Sequence, residues 1–135
     1  MYQVVIGVDD DAEHALACVE AVAELPGDAS DKTVTLVHSF TDNPSGASAT
    51  QIHSVRKAGE SLDDHGIDYN VTESSGDPAE VIVEFAEDEN ADLIVTAGRK
   101  RSPAGKALFG SVTQSVILNT DLPVMVSGTT KRASE

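Results

Sequence analysis

Two short runs, Val4-Val5-Ile6-Gly7-Val8 and Leu93-Ile94-Val95-Thr96-Ala97, are apolar at nearly every position. A strand sends successive side chains to opposite faces, so such a run has to be covered on both sides. The architecture that does this most simply is a parallel sheet with helices packed on each face. The remaining sequence supplies the helices. Ala12, Ala15, Leu16, Val19, Val22 and Ala23 recur at helical spacing up to Leu25, where Pro26-Gly27 stops the helix. Asp10 with Glu13 reads as its capping box. A second helix is expected from about Ala49 to His65, with Ile52, Val55, Gly59 and Leu62 facing inward and Gly66 ending it. Asp77-Pro78-Ala79-Glu80 joins an N-cap, a proline at the first helical position and a capping glutamate. Val81, Ile82, Phe85 and Ala86 are the expected buried face of that third helix. Ser111 with Gln114 suggests another capping box and a fourth helix to Asn119.

Strands are expected at Gln3–Val8, Thr33–Phe40, Ile67–Glu73, Leu93–Ala97 and Pro123–Val126, the third polar enough for an edge. Right-handed crossovers make this alternation an α/β fold: a doubly wound, Rossmann-like five-stranded parallel sheet with helices on both faces, for which the order 3-2-1-4-5 is expected. The 135 residues suffice for one domain, expected over 1–128, with 129–135 as a C-terminal tail. No apolar run reaches the roughly 18 to 20 residues that span a bilayer. The first residues carry no charged region followed by an apolar signal core, and the lone Cys18 can form no internal disulfide. A cytoplasmic protein is therefore expected.

Asp and Glu number 23 against 9 Lys and Arg, a formal net charge of −14. So negative a chain repels nucleic acid and anionic membrane, and neither is expected as a partner. Much of the acid falls on expected helix exteriors, such as Glu20, Glu24, Glu60, Asp63 and Glu84. That reads as halophilic adaptation to a high-salt cytoplasm, where counterions screen repulsion. Against this background the segment from Gly98 to Ser111 stands out. It holds four of the nine basic residues, Arg99, Lys100, Arg101 and Lys106, together with Gly98, Gly105 and Gly110. It runs from the carboxyl end of a strand to the start of a helix. Glycines admit close backbone approach, the cations supply donors, and a helix start offers free N–H groups. A phosphate-binding loop is one reading; a basic loop paired with neighbouring carboxylates is the other. A Walker loop is excluded, because Gly105-Lys106 lacks the earlier glycine at position 100 and a following Ser or Thr. The predicted strand order places Asp9 across a crevice from Gly98. There a carboxylate can accept from an adenine amine or a ribose hydroxyl, or assist Mg²⁺ through water. Asp11, near the first turn, favours the helix dipole.

Taken together these residues resemble the universal stress protein family over nearly the whole chain. The resemblance rests on a strand ending Gly7-Val8-Asp9, on Leu36-Val37 before His38-Ser39, on the segment from Gly98 to Val112, and on Asp121-Leu122-Pro123-Val124-Met125-Val126. It implies an adenine-nucleotide-binding, ATP-type regulatory homodimer of the stress response with no catalytic residues of its own. It assigns Asp9 to the adenosine, Ser39 to the adenine pocket beside Val8, and Ala97 to the strand end. Gly98, Gly110, Ser111 and Val112 are carried over to the nucleotide site, and Arg99, Lys100 and Arg101 are the cations of the candidate phosphate loop. Nucleotide-binding members carry Gly-x-x-Gly, nine residues, then Gly followed by Ser or Thr. Here Gly98 and Gly110-Ser111 match, Arg101 stands in place of the second glycine, and eight residues separate Arg101 from Gly110. The Arg101 guanidinium either obstructs a triphosphate or replaces the missing amide contacts. The second case keeps ATP, with Mg²⁺, as the ligand. The first leaves a stress protein acting by protein–protein association, and a weak ATPase or phosphotransferase is a third reading. The resemblance also implies a homodimer paired through the Pro123–Val126 strand, which at a sheet edge is otherwise an exposed template.

His38 ends an apolar strand and reads as a core histidine. His14, His53 and His65 share no metal-ligand spacing. Cys18 reads as a small packing residue. No Ser-His-Asp or Cys-His arrangement with a family-like local sequence is present.

Overall fold

In the computed structural model, β1 (Tyr2–Val8) and β4 (Leu93–Ala97) lie side by side in the middle of a five-stranded parallel sheet. The structure describes residues 1–40, 52–98 and 110–127. β2 (Lys32–Phe40) pairs with β1 from Tyr2↔Lys32 to Val8↔His38, and β3 (Asp68–Ser75) flanks β2. β5 (Val124–Ser127) flanks β4, giving the order β3-β2-β1-β4-β5 that the pattern predicts. The polar third strand is at an edge, as its sequence requires, and β5 forms the other edge.

Alternation along β1 builds two separate cores. Val4, Ile6 and Val8 pack with Ala15, Cys18 and Val19 of α1 (Ala12–Ala23) and with Val55 and Leu62 of α2 (His53–Asp64). Val5 turns the other way, toward Ala79, Ile82 and Ala86 of α3 (Pro78–Asp88) and Val116 of α4 (Ser111–Asn119). Each aliphatic side chain buried this way contributes about 1.5–3 kcal/mol of transfer free energy. Two faces, each covered by two helices, are what the uninterrupted apolar runs demand.

Several local expectations are corrected. α1 is capped by Asp11, not Asp10: Asp11 Oδ1 accepts from the N–H of Glu13 at 2.9 Å and of His14 at 3.4 Å. α4 is capped by Gly110, so Ser111 is its first helical residue rather than its cap. On α3 the fully buried residues are Ala79, Ile82, Val83 and Ala86, while Val81 and Phe85 are only partly buried against the same core. β3 begins at Asp68 and β5 at Val124, each one residue later than expected. Asp77 does cap α3, accepting from Glu80 N–H at 3.1 Å with Pro78 in the first turn. Gly66, at φ +71°, ends α2 as expected; the N–H of Ile67 then returns to the carbonyl of Leu62 at 3.0 Å. The expected first turn of the second helix, 49–51, and the tail, 129–135, lie outside the described residues. No helix among the described residues is long and apolar enough to cross a membrane.

Candidate functional site

All five strands run in the same direction, so their carboxyl ends lie together on one side of the sheet. From β1 the chain passes to α1 on one face; α4, which follows β4 in the chain, lies on the opposite face. Between these two neighbouring strands a crevice has to open, because their connections diverge. A cavity of about 310 Å³ lies there. The buried Val37, Ile82, Thr96 and His38 line it together with Gly7, and the exposed Asp9 and Asp10 stand at its rim with Gly110. Gly7 leaves room here for Ile82: a Cβ at this position would stand 2.5 Å from Ile82 Cδ1.

The residues singled out from the sequence converge on this cavity to a large extent. Val8, Asp9, Ser39 and Ala97 border it from the strand ends, and Gly110, Ser111 and Val112 from the start of α4. Gly98 terminates β4, its N–H donating to Ser127 O at 2.7 Å, and does not border the cavity. Arg99, Lys100 and Arg101 lie outside the described residues.

The polar groups at the rim are already organised. Asp9 Oδ1 accepts from Asp11 N–H at 2.9 Å, and Asp9 Oδ2 lies 2.7 Å from His14 Nδ1. The Asp9 carbonyl accepts from the hydroxyl of Ser54 on α2. Asp10, released from the capping role, faces His38 instead, with Oδ1 and Nε2 3.0 Å apart. Ser39 Oγ donates to Gly76 O at 2.8 Å, tying the end of β2 to the turn before α3. Thr113 Oγ1 donates to Ala97 O at 2.9 Å, tying α4 to the end of β4.

His14, His38, Thr96 and Thr113 border the cavity and were not among the expected site residues. A signal for His38 was present: in register it sits beside Val8, two residues before Asp10. His14 lies one helical turn past Asp10 and so returns toward the end of β1. A second hollow, of about 380 Å³ between β3 and α3, is bordered by Glu73, Asp77, Glu80, Glu84 and Asp88. Its carboxylates repel an anionic ligand, and the first cavity is the better candidate for a phosphate-bearing one. No group of three or more His, Cys, Asp or Glu among the described residues has the arrangement to hold a metal ion.

The sequence model of the universal stress protein family matches residues 1–127. The chain belongs to the universal stress protein family. Among curated members and relatives, the stress response protein NhaX of Bacillus subtilis is 37% identical over 65 residues, 48% of this chain and 39% of that protein. Aligned stretches span half or less of the length of the curated relatives. A universal stress protein crystallised in complex with cAMP superposes with a TM-score of 0.71 at 23% identity, covering 96% of this chain and 98% of that one. A universal stress protein from Archaeoglobus fulgidus in complex with dAMP gives 0.63 at 23% identity, over 94% and 98%. These superpositions establish the universal stress protein fold, with the five-stranded order seen here.

Proposed function

We propose that the chain binds an adenine nucleotide in the cavity between β1 and β4 and acts as a regulatory homodimer of the stress response. The observation that carries this reading is the meeting of two unlike groups on one cavity. The carboxylate of Asp9 stands on one side, and the start of α4 at Gly110-Ser111 stands on the other. The first suits a ribose hydroxyl or a base amine. The second presents first-turn N–H groups and the positive end of a helix dipole to a phosphate. The two solved relatives were each determined with an adenine nucleotide, cAMP or dAMP, which supports the ligand class.

A volume of about 310 Å³ is at the lower end of the range for small-molecule sites and suits a nucleoside monophosphate core. Further phosphates of ATP are assigned to Arg99, Lys100 and Arg101. Because the described residues supply no metal-ligand cluster, a Mg²⁺ ion would arrive with the phosphates of the triphosphate. The protein is assigned a binding role rather than a catalytic one. Among the described hydroxyls at the cavity, Ser39 and Thr113 donate to backbone carbonyls and not to an imidazole, so neither is set up as an activated nucleophile.

Isothermal calorimetry at molar salt tests the reading with AMP, cAMP, and ATP with and without Mg²⁺. Saturable heat and a rise in melting temperature are expected for at least AMP or ATP. Neither signal with any of them would overturn it. One observation favours the other reading, a stress protein acting by association alone: both oxygens of Asp9 are engaged within the chain. Nucleotide co-purifying in stoichiometric amount would eliminate that alternative.

A further inference from the structure

Thr96 is the penultimate residue of β4 and is 3% exposed. Its Oγ1 has no hydrogen-bond partner among the described residues. Buried hydroxyls nearly always have a partner, and an unmade bond of this kind is destabilising. Packing does not call for the hydroxyl. Leu93, Ile94 and Val95, the preceding residues of the strand, are aliphatic, and a valine has the same shape as threonine. Thr113 provides the contrast: it borders the same cavity, and its hydroxyl is satisfied by Ala97 O at 2.9 Å.

The place of Thr96 indicates what its hydroxyl is for. It borders the cavity together with Gly7, Val37 and Ile82, whose side chains carry no charge. A phosphate belongs at the other end, near Gly110-Ser111, and charge stays at the rim with Asp9 and Asp10. In a nucleotide the part that suits an uncharged wall is the planar base. A purine joined to ribose through its five-membered ring points its six-membered ring, with N1 and the 6-substituent, away from the sugar and so into the cavity. One rotamer hop about Cα–Cβ carries Oγ1 into the place now held by Cγ2, which lies on the Gly7 side, 3.7 Å from where a Cβ on Gly7 would stand.

We infer that Thr96 is a specificity-determining residue whose hydroxyl bonds to the inward edge of the bound purine. The inference rests on the nucleotide reading given above and adds the residue that recognises the base. A hydroxyl both donates and accepts, so it serves a ring nitrogen or an exocyclic amine equally. Free of ligand, the protein keeps an unmade hydrogen bond, and ligand entry completes it.

Two variants test this, Thr96→Val, which keeps the shape, and Thr96→Ser, which keeps the hydroxyl. AMP is the titrant and calorimetry the readout, with the melting temperature of each ligand-free protein measured alongside. Thr96→Val is expected to weaken AMP binding roughly three- to tenfold while raising the ligand-free melting temperature. Thr96→Ser is expected to hold AMP within about twofold of the wild type despite a lower melting temperature. Unchanged affinity in Thr96→Val overturns the inference, and so does equal weakening in both variants, which would mark a packing role. Failure of the wild type itself to bind AMP removes the nucleotide reading and this inference with it, so the two failures are told apart in one experiment.

Discussion

His14 Nδ1 stands 2.7 Å from Asp9 Oδ2, while Asp9 Oδ1 accepts from the N–H of Asp11 at 2.9 Å. The carboxylate assigned to the nucleoside is thus held from two sides by the beginning of α1. The pair is half-exposed, with side-chain exposures of 27% and 57%, and contributes less than about 1 kcal/mol to stability. His14→Ala is expected to change the unfolding free energy by less than about that amount, and to tighten AMP roughly two- to fivefold by freeing one oxygen. Asp9→Ala is expected to weaken AMP roughly tenfold. Calorimetry on both variants checks this. If His14→Ala weakens AMP as much as Asp9→Ala does, the intact His14–Asp9 pair, and not a freed carboxylate, is what the nucleotide needs.

Gly7 leaves room for the Ile82 side chain at the inner wall of the cavity. In Gly7→Ala the new methyl would meet Ile82 Cδ1 at 2.5 Å and Cγ1 at 3.2 Å. The far end of an isoleucine can rotate away, and the cavity is the open space beside it. The expected result is a modest loss of stability, about 1 kcal/mol, with a larger effect on nucleotide binding than on folding. Titration with AMP and urea unfolding of the same variant separate the two. Unaltered AMP affinity would place the base elsewhere.

Gly59 lies on the buried side of α2 against Tyr69 of β3. An alanine Cβ there would fall 2.6 Å from Tyr69 Oη and 2.9 Å from Cζ. Helix propensity alone favours alanine by about 1 kcal/mol, but the ring cannot bend and must move as a whole. Gly59→Ala is expected to destabilise by about 1–2 kcal/mol. In a Tyr69→Ala background the same change is expected to stabilise. Urea midpoints of the four proteins give the answer, and a stabilising Gly59→Ala in the wild-type background would show that the ring yields without cost.

Burial pushes the Cys18 thiol up from 9.0 to about 12, and the charge of Asp9 adds to the shift. The folded state keeps this proton where the unfolded chain has lost it. Stability from this group is therefore whole below about pH 9 and falls as pH rises from there toward 12, by at most about 1.4 kcal/mol per unit. Urea unfolding between pH 8 and 11 is expected to show a steeper loss for the wild type than for Cys18→Ala. Parallel slopes would contradict it. At pH 8 a thiol reagent is expected to react only on unfolding.

β5 is the outer strand on its side of the sheet. Ile94 N–H donates to Pro123 O at 2.9 Å and Gly98 N–H donates to Ser127 O at 2.7 Å, so the backbone of Val124 and Val126 faces the open edge. Leu118, on α4, is 81% exposed, an apolar side chain that a partner would cover. Val126→Pro removes one outward N–H and leaves the ladder to β4 in place. Light scattering is expected to report twice the chain mass for the wild type and the chain mass for the variant. A variant that stays dimeric would move the interface away from β5.

Much of the molecule was readable because it depends on neighbours in the chain. Val4-Val5-Ile6 needs cover on both faces wherever it sits, and Asp77-Pro78-Ala79-Glu80 caps a helix with atoms three residues apart. Such local rules, with right-handed crossovers, give a doubly wound parallel sheet, and the expected order β3-β2-β1-β4-β5 gathers Asp9, Ser39, Ala97 and Gly110 around one crevice. Local rules were less sure where two similar residues competed. Asp10 and Asp11 both suit a cap, and the choice fell to Asp11 because His38, 28 residues away, holds Asp10.

Sequence by itself determined the periodicities, the layers and the family resemblance, since each follows from which residues are apolar and how they are spaced. Tertiary structure alone decided that His14 occupies Asp9, that Ser39 and Thr113 donate to carbonyls, and that the Thr96 hydroxyl has no partner among the described residues. The reason is range. A hydrogen bond depends on atoms meeting within about 3 Å, and only register and packing bring together residues tens of positions apart.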